Sequence, residues 1–292
     1  MAGPNDVPRP LSATAAKKQA SLARRLAALE ARRTMSPSGP ATERFRVGTW
    51  NLNSLRARLP AVIRFLERVE PDAMCLQETK ATDVSDEAMA AFSELGYGYA
   101  HVGAGSYNGV TIIARHPIVD VERSGAFGNE VLDREPRLIS CVIDAGRRVR
   151  IASTYVPHGR SIGHWHFDYK LAFLEAMAVQ VERWLMEGHL ILGGDVNVAP
   201  TNSDIFHPDA FVGLTHVTGE ERDALARVLA AGLVDLDARR WGPEERRFTW
   251  WNHGLNYSRN LGMRIDLLAS DAELADCLDT TWIDHVERGG ER

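Results

Sequence analysis

The 292-residue chain predicts an α/β domain built on mixed β-sheet, and three observations carry that reading. From Phe45 onward, short apolar runs alternate with longer amphipathic segments, the two periods of strands and helices. Several apolar runs are separated by hairpin-short connections, which excludes a regular succession of parallel βαβ units. Hydrophobic residues make up 45% of the chain, enough to bury a large core.

The elements follow in chain order. Residues 1–44 form a basic Ala/Arg-rich extension with one helical candidate over 12–33, where Leu22, Leu26 and Leu29 share a narrow face. So few large apolar groups do not offset ordering entropy, so the extension reads as disordered or partly helical. Its alternatives are a basic tether for nucleic acid and an organellar presequence, and Met35 is a second candidate start. The domain proper, 45–292, opens with FRVGTW (45–50) as a strand, followed by a helix over 57–69 and the strand AMCLQ (73–77). A helix over 85–95 precedes the strands GVTIIA (109–114), LISCVI (138–143) and RIASTYV (150–156). The helix over 167–187 carries Phe167, Leu171, Leu174, Met177, Ala178 and Val181 at helical spacing. LILGG (190–194), a helix over 219–231, FTWW (248–251) and IDLLA (265–269) complete the set, with no internal repeat or linker.

Composition narrows the function classes. No run approaches the ~20 apolar residues of a membrane-spanning helix, so a soluble, cytoplasmic protein is expected. Cys75, Cys141 and Cys277 are widely spaced, which suits buried thiols in a reducing compartment and not a zinc site. The net charge is −5, yet the first 46 residues carry nine Lys/Arg against three acids, so the body is more acidic than the whole. Such a body suits a hydrolase that gathers carboxylates around a divalent cation.

Polar groups repeatedly follow the apolar runs: Trp50-Asn51-Leu52-Asn53, Gln77-Glu78-Thr79-Lys80, Tyr155-Val156-Pro157-His158, Gly194-Asp195-Val196-Asn197 and Arg264-Ile265-Asp266. Five strand ends converging at one edge would bring Glu78, Asp195 and Asp266 together with Asn51 and Asn197. This hard oxygen set predicts Mg²⁺, with Mn²⁺ as a substitute, and phosphate ester hydrolysis. The His164-x-His166 spacing has no third ligand nearby in sequence and reads as structural. Trp251, adjacent to Trp250 on a strand, reads as core.

The segments GTWNLNSLRARL (48–59), PDAMCLQETK (71–80), YNGVTIIAR (107–115), GGDVNVAPTNSDIF (193–206), GLVD (232–235), RFTWW (247–251) and RNLGMRIDLLAS (259–270) resemble the exonuclease III and apurinic/apyrimidinic endonuclease family. The resemblance implies a four-layer sandwich, two mixed β-sheets packed face to face with helices on the outside. It implies catalytic roles for Tyr155, Asp195, Asn197 and Asp266, and metal holding by Asn51, Glu78, Asp195 and Asn197. Lys80, Asn108, Arg137, His158, Trp250 and Met263 would bind substrate, with a baseless sugar turned out beside Trp250 and Met263. The substrate implied is duplex DNA with abasic sites or 3′ ends, handled by a monomer. Rival readings are a catalytically impaired DNA-binding relative and a superfamily phosphodiesterase on a lipid or inositol phosphate.

Departures from the family pattern carry expectations of their own. His158 stands where relatives have Asn or Gln, and an imidazole there would add pH dependence to substrate binding. Pro136 replaces a usual Gly before Arg137, altering local loop shape. Relatives follow a segment like IDHVERGGER (283–292) with Ser-Asp-His and a closing strand. On the sequence as it stands, Asp266 is expected to lack its partner, one sheet to have an open edge, and the nuclease domain to be C-terminally incomplete.

Overall fold

A computed structural model describes residues 44–123, 127–252 and 256–287. The helical candidate at 12–33 and the Gly289-Gly290 turn lie outside these residues. Two mixed sheets form the centre, as expected. The first has the order β1-β2-β4-β3, built from Val47–Asn51, Ala73–Gln77, Val110–Ala114 and Gly98–Val102, with only β1 and β2 parallel. The second runs β5-β6-β7-β8-β12-β9, from Ile118–Glu122, Leu138–Asp144, Arg148–Tyr155, His189–Asp195, Asp266–Asp271 and Leu233–Asp235. Here only β7 and β8 are parallel. The FTWW segment contributes only Trp250–Trp251 (β10), which pairs with Gly262–Met263 (β11) in a separate ribbon.

The sheets face each other across Ala73, Cys75 and Ile112 from the first and Ile139, Ile151 and Ile191 from the second, all buried. Helices α1 (Leu55–Val69) and α2 (Asp86–Glu94) cover the outside of the first sheet. In α1, Leu55, Leu59, Val62, Leu66 and Val69 recur every three or four residues and form the buried stripe. Ser54 caps α1 by accepting from the Ala57 N–H, and Glu70 ends it in the left-handed region. Helices α3 (Trp165–Glu187) and α4 (Gly219–Ala230) cover the second sheet through Phe173, Met177, Trp184, Leu225 and Val228. The result is the four-layer sandwich. Short helices α5 (Leu236–Trp241), α6 (Asn256–Arg259) and α7 (Ala272–Asp276) complete the described fold. No helix among the described residues is long and apolar enough to cross a membrane.

β1 pairs only with β2 among the described residues and is half-buried throughout. The segment leading to residue 287 runs along α1, where Arg68 pairs with Asp284 at 2.9 Å and Arg64 with Glu287 at 3.0 Å. Cys75 and Cys141 are buried, whereas Cys277 is exposed, because it follows α7 at the surface and not in the core as its apolar neighbours suggested.

Gly193 sets how closely the two sheets approach, and Gly194 how closely β8 lies against β7. A Cβ on Gly194 would lie 2.0 Å from the Thr154 carbonyl oxygen, and one on Gly193 would meet the Cys75 Sγ at 3.0 Å. Gly194→Ala is therefore expected to destabilise the fold by about 2–3 kcal/mol, since the obstacle is backbone of the neighbouring strand. Denaturant unfolding measures this, and a midpoint unchanged from wild type would remove the steric argument.

Candidate active site

Five strand ends meet at one edge. Asn51 closes β1 and lies in register with Gln77, the last residue of β2, which hands over to Glu78. Across the second sheet, Asp195 is the register partner of both Tyr155 on β7 and Asp266 on β12. Side chains on one cross-strand row share a face, and this row meets the first sheet. There the Asn51 Nδ2 donates at 2.8 Å to Glu78 Oε1 and at 2.8 Å to Asp195 Oδ2. One carboxamide thus draws two carboxylates from different sheets together.

Asp195 is only 5% exposed. Its Oδ1 accepts from the Asn197 N–H at 2.9 Å, a turn that Asn197 permits by adopting φ 51°. Burial, then the charge of Asp266, pushes the Asp195 carboxyl well above the ordinary carboxylate range, against the hydrogen bonds from Asn51 and Asn197. Burial likewise raises the Tyr155 phenol, reinforced by Glu78 and Asp195, so the hydroxyl stays protonated and donates to Glu78. The Asp266 backbone N–H donates to Thr249 Oγ1 at 3.1 Å, and its carboxylate acts electrostatically on Asp195. Glu78, Lys80 and Asn108 join Asn197 at positive φ, a concentration of uncommon backbone conformations around one site.

Residues holding a hard cation must supply oxygen and tolerate crowding of negative charge. Glu78 and Asp195 around Asn51, with Asp266 beside them, meet both conditions and include no sulfur or imidazole donor. The raised Asp195 carboxyl reflects its burial first and the neighbouring Asp266 and Glu78 charges second, and a divalent cation would offset both. A second acidic group, Asp120, Glu122 and Glu187, is also compact enough for a metal. It lies at the opposite end of β7 and β8, and the Arg150 and Arg183 guanidiniums occupy it.

The expected substrate contacts divide into two groups. Lys80 is partly exposed, with its Nζ 3.1 Å from Glu78 Oε2 and also donating to Asn53 Oδ1. Trp250 is 38% exposed and His158 has an open face. Arg137, Asn108 and Met263 are buried to the same degree as Asp195 and Asn197. Arg137 is held by Glu135, donates to the Tyr155 carbonyl at 3.3 Å and stacks 4.9 Å over the Tyr155 ring. Asn108 donates to the same Glu135 at 3.2 Å. Met263, opposite Trp250 in the ribbon, packs with Ala199, Ile205 and Ile265. These contacts tie Arg137 to Tyr155, Asn108 to Glu135 and Met263 to the Trp250 ribbon. Trp251 is buried, as read from the sequence.

The His158 ring meets His216 edge-on, with centroids 4.5 Å apart, and its Nδ1 accepts from the Arg160 N–H at 3.1 Å. Partial burial, followed by the Lys170 charge, lowers its pKa from the ordinary histidine value. Any pH dependence that this imidazole adds is thereby moved to the acid side of the ordinary histidine range. Replacing His158 with Asn should leave the shape of a pH–rate profile between about 6.5 and 8.5 unchanged. Loss of an inflection in that range in the variant would contradict it. His164 and His166 each spend Nδ1 on a backbone N–H, those of His166 and Gly159.

Sequence reasoning missed a buried layer beneath the Asp195–Asn197 turn. Lys170 and Glu221, each 0% exposed, form an ion pair, and Lys170 also donates to the Asn197 carbonyl at 2.7 Å. Burial pushes the Glu221 carboxyl up, but Lys170 and hydrogen bonds from Thr215 and His216 overcome this and hold it at about 2. The available signal was Thr218-x-x-Glu221, a capping box opening α4. His216 Nε2 lies 3.1 Å from Asn197 Oδ1, and burial, with Lys170 and His158, lowers this histidine to about 3.

The sequence profile of the endonuclease/exonuclease/phosphatase family matches residues 48–276. An exodeoxyribonuclease of Bacillus subtilis (strain 168) is 29% identical over 234 residues, covering 79% of this chain and 90% of the relative. Among solved structures, a 3′ phosphatase from Neisseria bound to a product DNA hairpin is 30% identical with a TM-score of 0.74, covering 80% of this chain and 89% of that one. An AP endonuclease from Archaeoglobus fulgidus has the same identity, TM-score and coverage.

Proposed function

Since the chain belongs to the endonuclease/exonuclease/phosphatase family and is a nuclease-type hydrolase, we propose that it is a Mg²⁺-dependent DNA repair phosphodiesterase. Mn²⁺ would substitute for Mg²⁺. Its substrate would be duplex DNA, cut at abasic sites or trimmed at 3′ ends by a monomer. The observation that carries this reading is the Asn51 carboxamide bridging Glu78 and Asp195 at 2.8 Å on each side. The relatives named for exodeoxyribonuclease, 3′ phosphatase and AP endonuclease activity support the substrate class.

Glu78, Asp195 and Asn51 would hold the cation, which when bound supplies countercharge to the phosphoryl oxygens. Asp195, held by N–H groups of Asn51 and Asn197, is oriented to take a proton from the attacking water. Its raised proton affinity suits that task. Tyr155, kept protonated, offers a neutral O–H to the phosphate or leaving oxygen. Asn197 contributes a neutral clamp, Lys80 a cation for the backbone phosphate, and Trp250 an exposed flat surface beside a baseless sugar. Extruding a nucleotide that has no base breaks no base pair, which favours abasic positions.

The test is cleavage of a labelled duplex carrying a tetrahydrofuran abasic analogue, beside duplexes with a recessed 3′ end or a 3′ phosphate, with Mg²⁺ or with chelator. Metal-dependent cleavage abolished by Glu78→Ala is expected. Turnover of an inositol phosphate, with none of the three DNA substrates attacked, would refute the assignment.

A further inference from the structure

We infer that His216 is a positioning residue whose Nε2–H fixes the orientation of the Asn197 carboxamide, leaving an amide N–H to serve the reacting phosphate. This rests on the proposed phosphodiesterase reading, and it adds a residue outside every strand-end motif.

The orientation follows from donor and acceptor logic. The Asn197 Nδ2 lies 2.9 Å from the Val156 carbonyl oxygen. A main-chain carbonyl only accepts, so the atom facing it must be the nitrogen. The carboxamide oxygen is thereby turned toward His216 Nε2 at 3.1 Å, and that ring nitrogen must carry a proton. One N–H of Asn197 is spent on Val156 and its oxygen is engaged by His216. The second N–H is what remains for an oxyanion.

His216 is itself over-determined. It is buried, and its backbone adopts φ 81°, uncommon for a residue with a side chain. Its N–H donates to Glu221 Oε1 at 2.9 Å, and its carbonyl accepts from the Ala199 N–H at 2.8 Å. The ring packs against His158. Lys170 reaches from the same buried group to the Asn197 carbonyl. The backbone and the side chain of Asn197 are therefore gripped separately, by Lys170 and by His216. Without the His216 donor, the carboxamide could swing its oxygen toward the phosphate, where like partial charges repel.

The test compares His216→Phe, which keeps a ring against His158 but has no donor, with His216→Gln, which restores an amide N–H. Each is made in the wild-type and Asn197→Ala backgrounds and assayed on the abasic duplex. His216→Phe should lower kcat about 10- to 100-fold with KM within about twofold, and His216→Gln should recover most of the loss. In the Asn197→Ala background, His216→Phe should cost less than about twofold. Equal losses in both backgrounds, or a change confined to KM, would overturn the inference. A readout without substrate covers the case in which His216→Phe also lowers the melting temperature. The Asn197 side-chain NH₂ signal, identified by its loss in Asn197→Ala, should move in His216→Phe and return in His216→Gln. An unmoved signal overturns the inference. If wild type cleaves none of the DNA substrates, the functional reading fails, while this signal still judges His216.

Discussion

Asp195→Asn should lower kcat on an abasic duplex by about 10²–10⁴-fold while leaving the fold intact. The substitution is isosteric, so the site keeps its packing, but a carboxamide has one acceptor oxygen and retains only one of the Asn51 and Asn197 contacts, and the group that takes the proton is gone. The same change should raise the melting temperature in chelator. Asp195 is buried beside Asp266 and Glu78, and its folded pKa is raised. For an acid of that kind the sign is fixed: ionisation is harder in the folded state, so its charge costs stability as pH rises above the unfolded value of 3.8. Removing the charge removes the cost, and Mg²⁺ should narrow the gap by offsetting it in the wild type. Such a trade of stability for chemistry is common at catalytic carboxylates. A variant with activity within tenfold of wild type would deny Asp195 its role.

The second large effect lies in the layer beneath. Lys170→Met should destabilise the protein by about 3–5 kcal/mol, because it leaves Glu221 charged and fully buried. Lys170→Met combined with Glu221→Leu should cost less than the sum of the two single changes. It should still fall short of wild type, since Glu221 also accepts from Thr215 Oγ1 at 2.6 Å, the His216 N–H and the Thr218 N–H. The pH dependence follows from the depressed Glu221 pKa. Its contribution is fully present above the unfolded value of 4.5 and is lost as pH falls from there toward about 2. Urea titrations across that range should show a steeper acid decline in wild type than in Lys170→Met. Parallel declines would mean that the pair is not the source.

The regular elements were legible because their causes are local. The α1 stripe and the buried strands β2, β4 and β6 to β8 declare themselves through apolar period. β3 and β5 were not recognised, since they mix exposed and buried positions, and β9 and β11 are only a few residues long. The strand-end polar groups were legible for the same reason: Asn51, Glu78, Tyr155, Asp195 and Asp266 each follow or begin an apolar run.

By itself the sequence determined which chemistry gathers at the sheet edge, because a strand imposes a known direction on the residues at its end. Only the tertiary structure decided which polar groups face outward and which lie beneath. Arg137 is sequestered by Glu135 and Tyr155, while the Asn197 turn is held by Lys170, 27 positions away, and by His216, 19 positions away. A buried polar side chain takes whichever partner satisfies its hydrogen bonds, and packing of distant segments selects that partner.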